Sequence, residues 1–286
     1  MSAPPRLFDS DLLTRRRARA RRIGGADFLQ EAAISQISER LEEVNRPFRR
    51  ITLISSRPDL WEPSLAAETG GEVTVVATGD TLDLPEGSAD LVVHALDLHW
   101  SNDPVGQLIQ ARRGLIADGL FLGVLFGGAT LGELRIAFAE AETTLLGGLS
   151  PRVAPMGEIR DLGGLLQRAG FALPVADSQP LDVRYESALH LMRDLRAMGE
   201  TNVMLTRHRQ PMSRSLLAGV CAAYAQAHSG EDGRVRATFE LVFLTGWAPA
   251  PSQPKPLRAG SAVARLSDAL EEAERAAAHP DVEPDT

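Results

Sequence analysis

Cysteine is almost absent from this chain of 286 residues; Cys221 is the single thiol. That excludes an intrachain disulfide and any cysteine-cluster metal site. Cys221 lies in the apolar run LLAGVCAAYA, which a buried helix position explains. Long hydrophobic runs are also missing, and none reaches the roughly 18 residues of a membrane span. The arginines near the N-terminus are followed by no apolar stretch, so no secretory signal is expected and the protein reads as cytoplasmic. There is no HExxH, no P-loop, no Ser-His-Asp order and no metal-ligand spacing, so no metal site is expected. Lysine is as scarce as cysteine: of 30 basic residues only Lys255 is one.

What is present is an ordinary composition for an α/β protein, 44% hydrophobic with 5% aromatics. A chain of this size buries roughly three quarters of its unfolded surface and needs no covalent staples. The net charge is −8, yet Arg15, Arg16, Arg17, Arg19, Arg21 and Arg22 crowd into eight positions. Such a run suits a phosphate, a nucleic acid or an acidic partner. The overall acidity and the general preference for Arg over Lys favour a solvated or partner-docking helix face, and no nucleic-acid partner is expected.

Apolar residues at helical spacing predict helices over residues 9–45, broken at Gly24-Gly25 and restarted near Asp27. ITLIS (51–55), EVTVVAT (72–78), ADLVVHAL (89–96) and LFLGVLF (120–126) read as buried strands. Helices are expected over 58–68, over 103–116 with Asp103 as cap and Pro104 in the first turn, over 130–146 with Thr130 as cap, and over 158–169. Asp118-Gly119 reads as a turn. Two further helices, 188–198 and 213–227, precede a late strand, ATFELVFLTGW (237–247), suited to an edge hairpin. Four prolines between 249 and 256 mark a linker, with a short amphipathic helix expected at 261–277 and a loose end beyond it. The domain reading is a helical cap (1–45), an α/β domain (46–247) with a helical insertion at about 186–228, and a linker with tail (248–286). Alternating strands and helices imply a doubly wound, mostly parallel sheet with an antiparallel edge strand.

Five stretches carry a resemblance: LDLPEGSADLVVHALDLHWSNDP (82–104), DGLFLGVLFGGATLGELR (118–135), GGLSPRVAPMGEIRDLGGLLQRAGF (147–171), LMRDLRAMGETN (191–202) and EDGRVRATFELVFLTGW (231–247). In order and content they resemble the methyltransferase-like complex I assembly factors, the arginine hydroxylases of mitochondria and their bacterial relatives. The resemblance spans about residues 6–247. It implies a class I methyltransferase fold with S-adenosylmethionine at the carboxyl ends of the strands, where open α/β sheets bind ligands. It also implies action on a protein substrate, a complex I subunit, with hydroxylation of an arginine.

Glycine is missing where the resemblance most requires it. The family's first strand ends in a glycine-rich loop that lets backbone approach the cofactor; here the same stretch reads TLISSRP. Either Ser55, Ser56 and Arg57 hold the cofactor's carboxylate in a different way, or the loop is filled. Asp80 matches the family's adenine-contacting Asp, with Thr81 and Leu96 beside it as cofactor candidates. Only residues 56–79 separate the first strand from Asp80, so the second strand and its ribose-binding acid read as missing or vestigial. At the carboxyl edge, His99, Trp100, Asn102 and Asp103 are the candidate catalytic residues. His99 suits a base near neutral pH, or it packs the loop with Trp100 while Asp103 caps the next helix. Gly127-Gly128 permit close approach of a ligand or of a neighbouring loop. Glu133 and Arg135 face either a partner or solvent. Two readings stay open: an S-adenosylmethionine-dependent modifier of a protein side chain, or a non-catalytic assembly protein with a degenerate cofactor site.

Overall fold

Strand β1 (Arg50–Ser55) is the inner strand on which the sheet is organised. The computed structural model describes residues 6–253, so the expected helix at 261–277 and the tail lie outside the described residues. Two helices precede β1. Helix α1 (Ser10–Ile23) is capped by the Asp9 side chain, and α2 (Phe28–Val44) follows Gly24, whose φ of 83° turns the chain. Asp27 stands at the N-terminus of α2, but its carboxylate makes no capping bond; it is taken by Arg57.

Downstream come α3 (Pro58–Thr69), β2 (Glu72–Val76), β3 (Ala89–Ala95), α4 (Pro104–Gly114) and β4 (Leu115–Phe126). They are followed by α5 (Gly132–Leu146), α6 (Ile159–Ala169), β5 (Ala172–Tyr185), α7 (Ala188–Met198), α8 (Arg214–His228) and β6 (Val235–Trp247). The sheet order is β2-β1-β3-β4-β6-β5. The first four strands run parallel, and the antiparallel pairing is confined to one edge, where β6 lies between β4 and β5. This is the mixed, doubly wound sheet of the class I methyltransferase fold.

Several local expectations are corrected. The strand at 72–76 pairs with β1 from Ile51↔Val73 to Ile54↔Val76, so it occupies the second-strand place. Among the described residues, no strand occupies the place beyond it in the 3-2-1-4 order of doubly wound sheets. Asp118-Gly119 is no turn between helix and strand; α4 stops at Gly114 and β4 begins at Leu115, with Asp118 at φ 60° inside it. Thr130 does not cap α5. Its Oγ1 accepts from Glu240 N at 3.0 Å, which ties the loop to β6 instead. Residues 172–185, for which the sequence predicts no strand, form the 14-residue β5. Pro180 is tolerated there because β5 is at the edge.

Side chains alternate between two cores, as the period of two requires. Leu53, Leu91, Val93, Leu122 and Val124 point into the larger core, against α2, α3, α5, α7 and α8. Ile54, Val92, Phe121 and Leu125 point the other way, against α4 and α6. Glu133, at the start of α5, accepts from Thr238 Oγ1 at 2.6 Å and is buried against β6 rather than solvated. No helix among the described residues is long and apolar enough to cross a membrane.

Trp61 on α3 is fully buried, and its Nε1 donates to Gln30 Oε1 on α2 at 2.7 Å. Trp61→Ala is expected to cost about 3–5 kcal/mol, the range for truncating a large buried aromatic. Urea unfolding followed by circular dichroism reads that loss, and an unchanged midpoint would count against the packing described.

Candidate functional site

The carboxyl ends of the parallel strands converge where β1 finishes at Ser55 and β3 runs on into Leu96 and Asp97. Leu96 takes φ of 50°, uncommon for a bulky residue. Its burial and the bond from its N–H to Val124 O at 2.8 Å hold it there. Asp97, the next residue, is buried and accepts the Ser56 backbone N–H at 2.6 Å through Oδ2. Its other oxygen pairs with the Arg17 guanidinium, which enters from α1.

Arg17 continues the cluster. Its second nitrogen lies 3.5 Å from Glu200 Oε1, just past the end of α7. Glu200 Oε2 accepts from Trp100 Nε1 at 2.6 Å and lies 3.1 Å from His99 Nε2. One turn on from Arg17, Arg21 donates to Ser56 O at 2.8 Å. Both backbone groups of Ser56 are therefore engaged by the protein itself.

The charges are mutually supportive. Burial alone would raise the carboxyl pKa of Glu200, but bonds from His99 and Trp100 and the field of Arg17 bring it below the usual glutamate value. Burial likewise opposes the Arg17 charge, yet Asp97 and then Glu200 hold it protonated above the usual arginine value.

The other named residues are placed as follows. Ser55 is buried, and its Oγ accepts from Arg57 N at 3.0 Å. Arg57 bonds first to Asp59 and then to Asp27, which raise its pKa; its guanidinium is fully committed. Asp80 is exposed and pairs with Arg6 at 2.9 Å, and Thr81 is exposed beside it. Leu96 lies in the larger core. Only Ser56 and Arg57 of these cofactor candidates line the cavity at the end of β1, together with Arg17, Arg21, Gln30 and Glu200.

On the catalytic side, His99 and Trp100 share Glu200. Asn102 Oδ1 accepts the N–H groups of Leu7 and Phe8, both at 2.8 Å, pinning the N-terminal segment. Asp103 caps α4 through Gly106 N at 2.8 Å. His94, one strand turn earlier, is buried, and burial lowers its pKa. Gln107 donates to Gly79 O at 2.7 Å and so offers its oxygen to His94, which fixes the His94 proton on Nε2. Gly127 and Gly128 are approached by the Glu240 and Glu158 side chains, so their freedom serves neighbouring protein.

S-adenosylmethionine, the cofactor the fold implies, does not fit these residues. The cavity at the end of β1 is about 210 Å3, below the roughly 300–1,000 Å3 of small-molecule sites. Arg17 lines it, Ser56 N is already bonded to Asp97, and the first acid after β2, Asp80, is exposed and paired with Arg6. Across Glu200 lies a second cavity of about 590 Å3, floored by Trp100, Phe126 and Phe239.

Sequence reasoning missed Arg17, Asp97 and Glu200. Arg17 was hidden in a run of arginines, and its i, i+4 spacing from Arg21 was the available signal. Asp97 and Glu200 lay inside the quoted stretches HALDLHW and MGETN. Asp97 is an acid between two leucines, which is rare without a partner, whereas Glu200, between Gly199 and Thr201, carries no such signal.

Arg17→Met removes one partner from two buried carboxylates and is expected to cost about 3–5 kcal/mol near neutral pH. Because the folded pKa of Glu200 is depressed, its contribution is full above the unfolded glutamate pKa and is lost as pH falls through the folded one. Glu200→Gln is therefore expected to flatten the acid limb of stability against pH below about 4.5. Thermal melts from pH 7 to 3 test this, and an unchanged acid limb would refute the coupling.

No family model matches the chain. It is 34% identical over 276 residues to arginine-hydroxylase NDUFAF5, mitochondrial, of Rattus norvegicus, covering 87% of this chain and 80% of that protein. It is 37% identical over 176 residues to the malonyl-(acyl-carrier protein) O-methyltransferase of Laribacter hongkongensis, covering 62% and 57%. Of solved structures, the YcgJ protein of Bacillus subtilis superposes with a TM-score of 0.48 at 13% identity, covering 77% of this chain and 99% of that one. Identity at that level along most of the rat protein's length, with every quoted stretch in the expected order, means that the chain belongs to the NDUFAF5 arginine-hydroxylase family of methyltransferase-fold proteins.

Proposed function

We propose that this chain is a cytoplasmic assembly protein that binds a protein client, a subunit of a complex I-type respiratory enzyme, without using S-adenosylmethionine. One observation carries the reading: the Arg17–Asp97–Ser56 cluster occupies the end of the first strand. An empty, glycine-lined loop there would leave backbone N–H groups free for an anionic cofactor group. Here the carboxylate of Asp97 takes that N–H, and Arg17 neutralises it. Displacing this arrangement would strand two buried acids, a large cost for a ligand to overcome.

The client side of the reading rests on kinship. Relatives at this identity are named arginine hydroxylases, and a complex I assembly role comes with that family. In the loop at 99–103, Trp100 lines the larger cavity and Asn102 holds the N-terminal segment, so the loop's conformation is fixed before a client arrives. His99 and Trp100 shape that surface through Glu200, while Asn102 and Asp103 hold the segments on either side. Pre-fixed surfaces bind with little ordering cost.

Isothermal titration of the full-length protein with S-adenosylmethionine and S-adenosylhomocysteine is expected to give no heat and no thermal stabilisation up to millimolar ligand. Micromolar binding would overturn the cofactor-free reading and would make Ser55, Asp80 and His99 the first residues to mutate. Affinity capture from cells is expected to recover a complex I subunit or its precursor; recovery of none would overturn the client part.

A further inference from the structure

The cavity on the far side of Glu200 is the better-formed of the two. Its volume of about 590 Å3 falls within the roughly 300–1,000 Å3 of small-molecule sites. Its floor is apolar: Trp100, Phe126, Leu134 and Phe138 are buried there beside Phe239. Met156, Met192 and Met212 border it, and thioether side chains adapt readily to a variable apolar ligand.

Six arginines line the same cavity: Arg16, Arg19, Arg152, Arg196, Arg207 and Arg209. Glu200 is the one acid among the lining residues, and His99, Trp100 and Arg17 already engage it. Arg152 is paired with Glu142 at 2.7 Å and Arg207 with Asp9 at 3.4 Å. For Arg16, Arg19, Arg196 and Arg209, no carboxylate of the described residues lies within 4.0 Å. Arg16 is half-buried and donates to neutral groups, Thr201 Oγ1 at 2.8 Å and Asn202 O at 2.6 Å. Burial, and then repulsion from Arg207, pull its pKa below the usual arginine value, with Asp9 offsetting part of this and Arg196 adding to it.

A chain of net charge −8 thus gathers unmatched cations around one apolar hollow. Clefts lined by one sign of charge, with low-dielectric walls, concentrate counter-ions of the opposite sign. An apolar floor recognises a hydrocarbon tail, and an arginine fork recognises carboxylate or phosphate oxygens in pairs. A cationic side chain is repelled by the same rim.

We infer that this cavity binds an amphipathic anion, an aliphatic chain laid on the Trp100, Phe126 and Phe138 floor with a carboxylate or phosphate head held by Arg16, Arg19, Arg196 and Arg209. The inference does not rest on the client-binding reading or on the fate of S-adenosylmethionine, because Glu200 and its partners separate this cavity from the end of β1.

The test is displacement of a dansyl-labelled fatty acid from the full-length protein. Dodecanoate and dodecyl phosphate are the anionic competitors, and whichever displaces better identifies the head group. Methyl dodecanoate, dodecyltrimethylammonium and acetate are expected to be at least roughly tenfold weaker, since they lack the charge, reverse it or lack the tail. Arg16→Gln and Arg196→Gln should each weaken dodecanoate roughly tenfold, the scale of one charge-assisted bond. Met192→Trp, which fills the floor, should abolish displacement. Melting temperatures of Arg196→Gln should stay at the parent value, which separates lost binding from lost folding. Equal displacement by the acid and its methyl ester, or full binding by Arg196→Gln and Met192→Trp together, would overturn the inference. Loss of this binding with the calorimetric result unchanged would leave the cofactor-free reading standing, so the two fail separately.

Discussion

Two buried carboxylates and one guanidinium hold the carboxyl end of this sheet together. Asp97, Arg17 and Glu200 come from the β3 exit, from α1 and from the segment after α7, three places far apart in the chain. Their attraction acts in a poorly solvated environment, where each charge would be costly alone. Around that triad the rest falls into place: Ser56 is tied to Asp97, His99 and Trp100 to Glu200, and the N-terminal helix to the sheet. The local strain at Leu96 is explained by the same constraint, since it delivers Asp97 to the end of β1.

The cluster also divides the molecule functionally. On one side, the end of β1 is closed by protein groups that satisfy one another. On the other, an apolar hollow remains, bordered by arginines whose charge the described residues do not match. Helix α1 serves both sides. Arg17 and Arg21, one turn apart, face the closed side, whereas Arg16 and Arg19 line the open one. A run of arginines that looks undifferentiated in one dimension is sorted by helical periodicity into residues that line the smaller cavity and residues that line the larger one.

The glycine-free end of β1 and the triad belong to one arrangement. With Ser55, Ser56 and Arg57 at the strand end, Asp97 and Arg17 fill the space that a glycine loop leaves to a cofactor, and Arg57 turns away to Asp27 and Asp59. The shortened stretch before Asp80 fits the same picture. Among the described residues it leaves β2 as an exposed edge strand with no neighbour beyond it, followed by the exposed Asp80.

The sequence by itself determined five of the six strands among the described residues, β5 being the one it missed, together with most helices, the mixed sheet and the family. These rest on local periodicity and on long ordered stretches, which chain order alone carries. It also showed that the first strand ends without glycine, because a missing residue type is visible without coordinates, and left open whether Ser55, Ser56 and Arg57 hold a cofactor instead. It misplaced Thr130 as a cap and Asp118-Gly119 as a turn, since the partners that decide both, Glu240 and the neighbouring strands, are distant in sequence. Only the tertiary structure decided which arginine meets which acid, that Asn102 serves the backbone of Leu7 and Phe8, and that two cavities share Glu200 as a wall. The Arg17–Asp97, Leu7–Asn102 and His99–Glu200 contacts span 80, 95 and 101 positions, brought together when hydrophobic burial closes the sheet between its helices.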